Sequence, residues 1–266
     1  MTQSSELPKN SPKILIYDIE TTYTVGASFG GLYEVNIAKV LRYPYMLTVA
    51  WKWLGEDKTH VISLRDFPLY KKDKRSDKSL AQFVRDELFD KADVIVAHNG
   101  NAFDQKWVFS RFFVHGIQPP SPSKYVDTKV VAKSKFKLIS NKLEQIATML
   151  GIGHKLKTDI DLWVDIVEDD SDAAWKMMCK YNKMDVDLLE KVYLKMRPFM
   201  TNHPNMGMLS GEAMVCHACG GNHMQRRGFQ RSNTALYQRY QCQDCGIWDR
   251  ARTAEKGIKP DLIAIV

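Results

Sequence analysis

The chain has 266 residues, enough for one α/β domain and a small appendage. At 44% apolar and 26% charged residues it has an ordinary soluble globular composition, and its formal net charge of +7 favours a polyanionic partner. No run approaches the roughly 20 apolar residues of a membrane-crossing helix, and the polar stretch MTQSSELPKNSPK lacks the apolar segment of a secretory signal, so the expected location is a reducing cytoplasm, that of the host if the protein is viral.

Residues 1–12 read as a disordered lead-in, and Lys13–Asp18, an apolar run rich in isoleucine, as a buried strand. A loop bearing Gly26, Gly30 and Gly31 follows. Met46–Leu54 and Thr59–Leu64 read as two further strands joined by a turn at Gly55-Glu56-Asp57, an antiparallel meander. The charged stretch Lys71–Lys78 reads as an exposed loop. Ser79 reads as the cap of a helix running to about Lys91, with Leu80, Phe83, Val84 and Leu88 at helical spacing. Asp93–Ala97 is a short strand, and a helix from about Phe103 to Val114 ends at Gly116, ahead of Pro119-Pro120. Tyr125–Asp127 reads as a fifth strand and Lys142–Leu150 as a helix closed by Gly151. Residues 153–170 read as irregular and then acidic, and Ser171–Arg197 as a long helix stopped by Pro198. This is the element order of an RNase H-like α/β fold, a mixed five-stranded sheet flanked by helices. Residues 200–215, rich in Asn, Gly, Pro, Ser and Met, read as a linker between that domain, residues 13–199, and a segment of different composition, residues 216–266.

Three short segments carry the acids of interest. Asp18 and Glu20, in KILIYDIETT, are two apart on a strand and leave the same face. Two unpaired anions at the end of a core strand are costly unless a positive charge joins them, as a divalent cation would; a strand end that frays into water is the plainer alternative. Asp104, after VIVAHNGNAF, opens a helix, where a carboxylate meets the positive end of the dipole whether or not it has a function. Tyr181 and Asp185, in KYNKMD, are four apart on the long helix and share a face, as a solvated surface pair also would. Asp187 points about 200° around the helix axis from Asp185.

Together the segments resemble the motifs of the DEDD, or DnaQ-like, 3′→5′ exonucleases. Asp18-Ile19-Glu20 matches the DxE of the first motif. Asn99 through Phe103-Asp104 matches the NxxxFD of the second, as it stands in polymerase B-type proofreading domains. Tyr181 and Asp185 match the YxxxD of the third in the tyrosine (DEDDy) branch; the histidine branch would place His where Lys180 stands. The likeness covers about residues 13–197 and is nearest to stand-alone relatives of those proofreading domains, including those of phages. It implies that Asp18, Glu20, Asp104 and Asp185 bind two Mg²⁺ or Mn²⁺ ions, that Tyr181 orients the attacking water, and that Asn99 and Phe103 bind substrate. Lys124 to Thr128 resembles a KxxDT segment of related domains, in which Asp127 supports the site indirectly. His98 reads as a strand-end packing residue.

Four of the five cysteines form two CxxC pairs, and in a reducing compartment such pairs read as metal ligands more than as disulfides. Cys216, Cys219, Cys242 and Cys245 supply four thiolates for one structural Zn²⁺ in a small ribbon, with Gly220-Gly221 and Gly246 at its tight turns; four cysteines leave His217 and His223 little reason to serve as substitute ligands. Too few apolar residues surround them for the ribbon to fold without metal. Arg226, Arg227, Arg231, Arg239, Arg250 and Arg252 are interleaved with Phe229, Tyr237, Tyr240 and Trp248. They read as a grip on nucleic acid that holds substrate near the nuclease, the first four arginines binding substrate, or else as a solvated surface over a small aromatic core. Cys179 reads as a buried small hydrophobe. The lysine-rich stretch Lys124–Lys157 reads equally as a substrate path or a solvated face, and Asp159–Asp172 as an exposed loop and helix start. The expected function is hydrolysis of DNA from its 3′ ends, single-stranded ends foremost, with replication or repair proteins as possible partners. The alternatives are an RNA-trimming exonuclease, since no residue is identifiable as a reader of the 2′-hydroxyl, and a non-catalytic nucleic-acid-binding adaptor.

Overall fold

A computed structural model of the chain describes residues 12–30 and 36–255. The lead-in read over residues 1–12 lies, Pro12 apart, outside the described residues, as do Gly31 and the tail beyond Glu255. Two compact units divide the chain, one of Lys13–Tyr193 and one that runs on from Leu194.

In the first unit the strands are β1 (Ile14–Thr21), β2 (Val25–Ala27), β3 (Lys39–Arg42), β4 (Met46–Trp53), β5 (His60–Ser63), β6 (Val94–Ala97) and β7 (Lys124–Asp127). Five of them form one sheet in the order β5-β4-β1-β6-β7, antiparallel from β5 to β1 and parallel from β1 to β7. The mixed five-stranded sheet is the one the element order predicts. Two features of its start are not. β1 continues through Asp18 and Glu20 to Thr21 rather than ending at Asp18, and the stretch read as a glycine loop forms the separate hairpin β2–β3. Gly26 is required there, because a Cβ would lie 2.4 Å from the Ile37 side chain.

The two faces of β1 divide the labour. Leu15, Tyr17 and Ile19 point into a core shared with Leu80 and Ala81 of α1 (Lys78–Phe83) and with Val108 and Phe112 of α2 (Asp104–His115). The opposite face begins apolar, with Ile14 and Ile16 buried, and ends in Asp18 and Glu20. The long helix that covers that face comes last in the unit. Before it the chain forms α3 (Thr128–Lys135), α4 (Leu143–Met149) and α5 (Ile160–Val167); the helix itself is α6 (Asp172–Met196). Thr48 of β4 donates its hydroxyl to Asn182 (2.9 Å), and Lys52 pairs with Glu190 (2.6 Å), so α6 is fastened along β4 beside Asp18 and Glu20.

Several local expectations need correction. The helix expected from Ser79 to Lys91 is α1 for six residues, then a π-helical turn over Val84–Leu88, then a 3₁₀ turn over Phe89–Lys91. Ser79 is not its cap. The residue before the helix, Asp77, spends its fully buried carboxylate elsewhere, on the Met46 N–H, on both nitrogens of a bidentate Arg111 and on His115. The lysine-rich stretch contains α3, whose first-turn N–H groups (Lys129, Val130) are accepted by Asp127. The acidic stretch contains α5, with Ile166 buried and Leu162, Trp163 and Val167 packed on the core.

In the second unit, residues read as a linker hold a short helix, α7 (Met206–Ser210), capped by Asn205. Beyond it β8 (Met224–Arg231), β9 (Leu236–Cys242) and β10 (Trp248–Arg250) make an antiparallel sheet in the order β10-β9-β8. Its core among the described residues is Cys216, Ala218, Cys242 and Ile247. No helix of the described residues is long and apolar enough to cross a membrane.

Candidate active site

Alternation along β1 aims Asp18 and Glu20 at α6, and the helical repeat sets Tyr181, Asn182 and Asp185 facing them. One oxygen each of Asp18, Glu20 and Asp185 lies within 4.8 Å of the others. Asp104 stands outside that trio. It is buried at the start of α2 with one carboxylate oxygen accepting the Ile19 N–H (3.3 Å), against the strand residue between the two acids. Asp187, as its helical angle requires, turns away and takes the Thr59 hydroxyl.

The approach to Asp104 is built by the turn after β6. Asn99 adopts φ 70°, and Gly100 leaves room where a Cβ would sit 2.5 Å from that of Ala97. Asp127 holds this turn from behind, accepting the N–H groups of Asn99 (2.9 Å) and Asn101 (3.1 Å) while it caps α3. His98 is fixed by Thr128 (2.9 Å) and by the Asn141 carbonyl (3.0 Å), the packing role expected of it. The Phe103 ring is 40% exposed at the mouth of the turn, with Trp107 beside it at 6.1 Å between ring centroids.

Four carboxylates in so small a space repel one another. Burial, then Asp104, Glu20 and Asp185, push Asp18 well above the usual carboxylate range. Burial, then Asp185, pushes Glu20 up to about 8, and burial pushes Asp104 up to about 7. Asp185 is raised by burial although Lys155 pulls the other way. A divalent cation is the group that relieves such a site, and the donor set of hard oxygens suits Mg²⁺ or Mn²⁺. One observation makes the fit specific: Oδ1 of Asp185 is buried with no hydrogen-bond partner.

Two residues here have no place among the motifs. Lys155 forms an ion pair with Asp185 and lies 3.4 Å from the Tyr181 hydroxyl. Burial works against its charge, but Asp185 and then Tyr181 and Asp18 outweigh that and hold the ammonium above the usual lysine range. It reaches the site because Gly153, at φ 144°, lets the chain run past Leu188 of α6, 3.1 Å from where a Cβ would be. Asn182, fully buried, donates to Asp18 (2.7 Å) and accepts from Thr48. Lys155 leaves no pattern in sequence, being one of many lysines. Asn182 leaves one: it is the polar member of the buried stripe Met178, Asn182, Val186, Leu189.

The four C-terminal cysteines each place a sulfur within 4.8 Å of the rest, and the Cys216–Cys245 and Cys219–Cys242 sulfurs are 3.6 Å apart. Tetrahedral Zn²⁺ with bonds near 2.3 Å sets sulfurs about 3.8 Å apart, so the set fits one zinc. A Cβ at Gly221 would lie 2.0 Å from the Asp244 carboxylate and 3.2 Å from the Cys219 sulfur, so the Asp244 side chain would have to turn away. His217 and His223 are engaged by Asp249 and Asp244. The arginines read as one grip are not on one surface. Register puts Arg226, opposite Tyr240, and Arg231, opposite Leu236, on one face of the sheet and Arg239 on the other, with Arg227 in a bulge. Among the described residues, Phe229, Tyr237, Tyr240 and Trp248 are not part of the cluster of Cys216, Ala218, Cys242 and Ile247.

No curated protein matches this chain. A family model, that of the RNase_H superfamily, matches residues 15–197, a span that takes in the mixed sheet, α1 to α6 and all three acidic segments. Fold, acid placement and that match agree: the chain belongs to the RNase_H superfamily.

Proposed function

We propose that this protein is a metal-dependent 3′→5′ exonuclease of the tyrosine branch that acts on DNA, single-stranded ends foremost. Membership of the superfamily implies nuclease-type hydrolysis of phosphodiester bonds and a nucleic-acid substrate. The finer reading is carried by one observation, the gathering of Asp18, Glu20 and Asp185 within 4.8 Å at the end of β1, with Asp104 against the same strand and Tyr181 one helical turn from Asp185.

Asp18, Glu20, Asp104 and Asp185 would hold two Mg²⁺ or Mn²⁺ ions. Such a pair, when bound, activates a water for in-line attack and steadies the leaving 3′-oxygen. Tyr181 keeps its phenolic proton, because burial and then Asp185 push it up to about 12; it orients the water by hydrogen bonding rather than removing its proton. Lys155 brings a fixed positive charge beside the phosphate on which negative charge develops. Asn182 holds Asp18 in place. The open face of Phe103 offers a stacking surface for the terminal base, and Asn99 reaches the sugar–phosphate backbone from the turn that Asp127 fixes. Cys216, Cys219, Cys242 and Cys245 would hold one structural Zn²⁺.

The test is a time course with Mg²⁺ on 5′-end-labelled DNA and RNA strands, single and duplex. The expected result is a ladder shortened one nucleotide at a time on single-stranded DNA. Asp104→Ala combined with Asp185→Ala should abolish it, a loss of at least about a thousandfold for removing metal ligands, while DNA binding persists. Activity that survives the double change would mean the site is elsewhere; internal cuts would mean an endonuclease, and faster loss of RNA the RNA-trimming alternative.

A further inference from the structure

The ribbon sheet has one face whose composition is not accounted for by its fold. Directly opposed residues of antiparallel strands share a face, and the register pairs Trp248 with Gln241, Arg250 with Arg239, and Gln230 with Tyr237. Tyr237, Arg239 and Gln241 of β9 therefore stand on the same side as Trp248 and Arg250 of β10. Asp249 is on the other side, held by the backbone N–H and the ring of His217. No carboxylate of the three strands stands on the first face.

Rings and guanidiniums alternate there in contact. The Arg239 guanidinium lies 4.6 Å from the Trp248 ring centroid and that of Arg250 lies 4.2 Å from the Tyr237 ring. The Arg239 Nε also donates to the Arg227 carbonyl (3.0 Å), which sets the plane of its fork. Trp248 is 47% exposed and is not among the described residues packed on the cluster of Cys216, Ala218, Cys242 and Ile247. An open cavity of about 880 Å³ adjoins the edge of the face, with Arg239, Trp248, Arg250 and Arg252 among its walls together with the carboxylates of Glu212 and Asp249. Residues 216–255 contain six arginines and no lysine, the next being Lys256, so every strong cation of the three strands is one that both stacks on rings and forks onto phosphate.

We propose that the face carrying Tyr237, Arg239, Trp248 and Arg250 is a stacking platform for an unpaired DNA strand, the two rings taking successive bases and the two guanidiniums the phosphates between them. A paired base has its faces covered by its neighbours, so the platform discriminates by strandedness and not by sequence. The inference rests on the reading of this chain as a protein that acts on DNA, single-stranded ends foremost, and adds where the unpaired strand is recognised, on residues outside the acidic site.

The experiment uses the full-length, zinc-loaded protein with Ca²⁺ in place of Mg²⁺, and fluorescence anisotropy of a labelled twelve-nucleotide oligo-dT, an oligo-rU of the same length and a blunt duplex. Trp248→Ala with Tyr237→Ala should weaken oligo-dT binding about tenfold or more and change duplex binding less than about twofold. Trp248→Phe with Tyr237→Phe should bind like the parent. Unchanged oligo-dT affinity in the alanine variant, an equal loss on the duplex, or binding of oligo-rU but not oligo-dT would each overturn the platform. If the alanine variant loses its zinc, the parent decides. The emission that disappears in Trp248→Phe must be quenched by oligo-dT in the parent, and its persistence would refute the proposal. Hydrolysis of the p-nitrophenyl ester of thymidine 5′-monophosphate is followed separately, with Mg²⁺ restored in place of Ca²⁺. Failure of the parent to hydrolyse it strikes at the nuclease reading alone, whereas the platform stands or falls on strand binding.

Discussion

Asn182 satisfies two needs from one buried position: its amide nitrogen fixes a candidate metal ligand, Asp18, and its oxygen satisfies the hydroxyl of Thr48. Asn182→Ala removes both. The expected outcome is metal affinity, read from Mn²⁺ titration of activity, lower by about 10- to 100-fold, with stability to urea lower by about 1–3 kcal/mol for the stranded Thr48 hydroxyl. A variant that lost stability but kept the Mn²⁺ midpoint would reduce Asn182 to a packing residue. At this scale the acids were legible in the sequence and their helpers were not. Asp18, Glu20, Asp104, Tyr181 and Asp185 stand in short segments whose spacing is set by the period of a strand or a helix. Lys155 acts from an irregular segment, where no period constrains it, and its meaning depends on a fold that brings residue 155 to residue 185. His98 gives a pH dependence of the same local kind. Burial holds its ring neutral and pushes it down to about 4. The unfolded chain takes up a proton near pH 6.5 and the folded one does not until about pH 4, so stability is complete above the first value and is lost as pH falls toward the second. His98→Asn should flatten that part of a denaturation profile measured from pH 7 to 4.

Elements are held to one another by buried polar joints as well as by apolar packing, and Asp77, with four hydrogen bonds to three residues, is one of these. It ties the strand start at Met46 to Arg111 and His115 of α2, with its own side chain fully out of water. Asp77→Ala would leave the largely buried Arg111 guanidinium without its partner. It should cost about 3–5 kcal/mol, measurable as a lower urea midpoint with an unchanged m-value. Replacing Asp77 and Arg111 together by apolar residues should recover much of that loss. The same residue explains an error of sequence reading. Ser79 stands where a cap is expected, but the carboxylate two residues earlier is drawn into the core and the helix starts without a side-chain cap. The central strands, α2 and α6 were legible because each repeats its apolar pattern over a stretch long enough to reveal its period. α3 and α5, eight residues each, were not. In α3 the surface lysines mask the buried Thr128, Val131 and Ala132. In α5 the acids mask the apolar face that Leu162, Trp163 and Ile166 present to the core.

The whole molecule joins two units that reach stability by different means. The unit of Lys13–Tyr193 has an extended apolar core on its sheet. The ribbon sheet has four buried residues in its cluster, two of them candidate zinc ligands, so a zinc ion bound there would supply most of what holds its knuckles. Charge follows the same division, since residues 216–255 carry six arginines against three carboxylates. The C-terminal composition change reads as a boundary at residues 200–215, whereas the second unit runs on from Leu194; composition did not announce α7, since five residues between glycines and prolines show no helical period. If zinc supplies the ribbon's stability, its removal should be felt there first. Cys242→Ser should lower zinc content from about one per chain toward none and abolish the resolved near-ultraviolet signal of Trp248, assigned by difference from Trp248→Phe. The cooperative unfolding transition of the larger unit, followed by far-ultraviolet dichroism, should keep its midpoint to within about 2 °C, as expected for a change that touches none of its core. A fall of the large transition together with the zinc would show instead that the two units share their stability, and that the metal serves the whole chain.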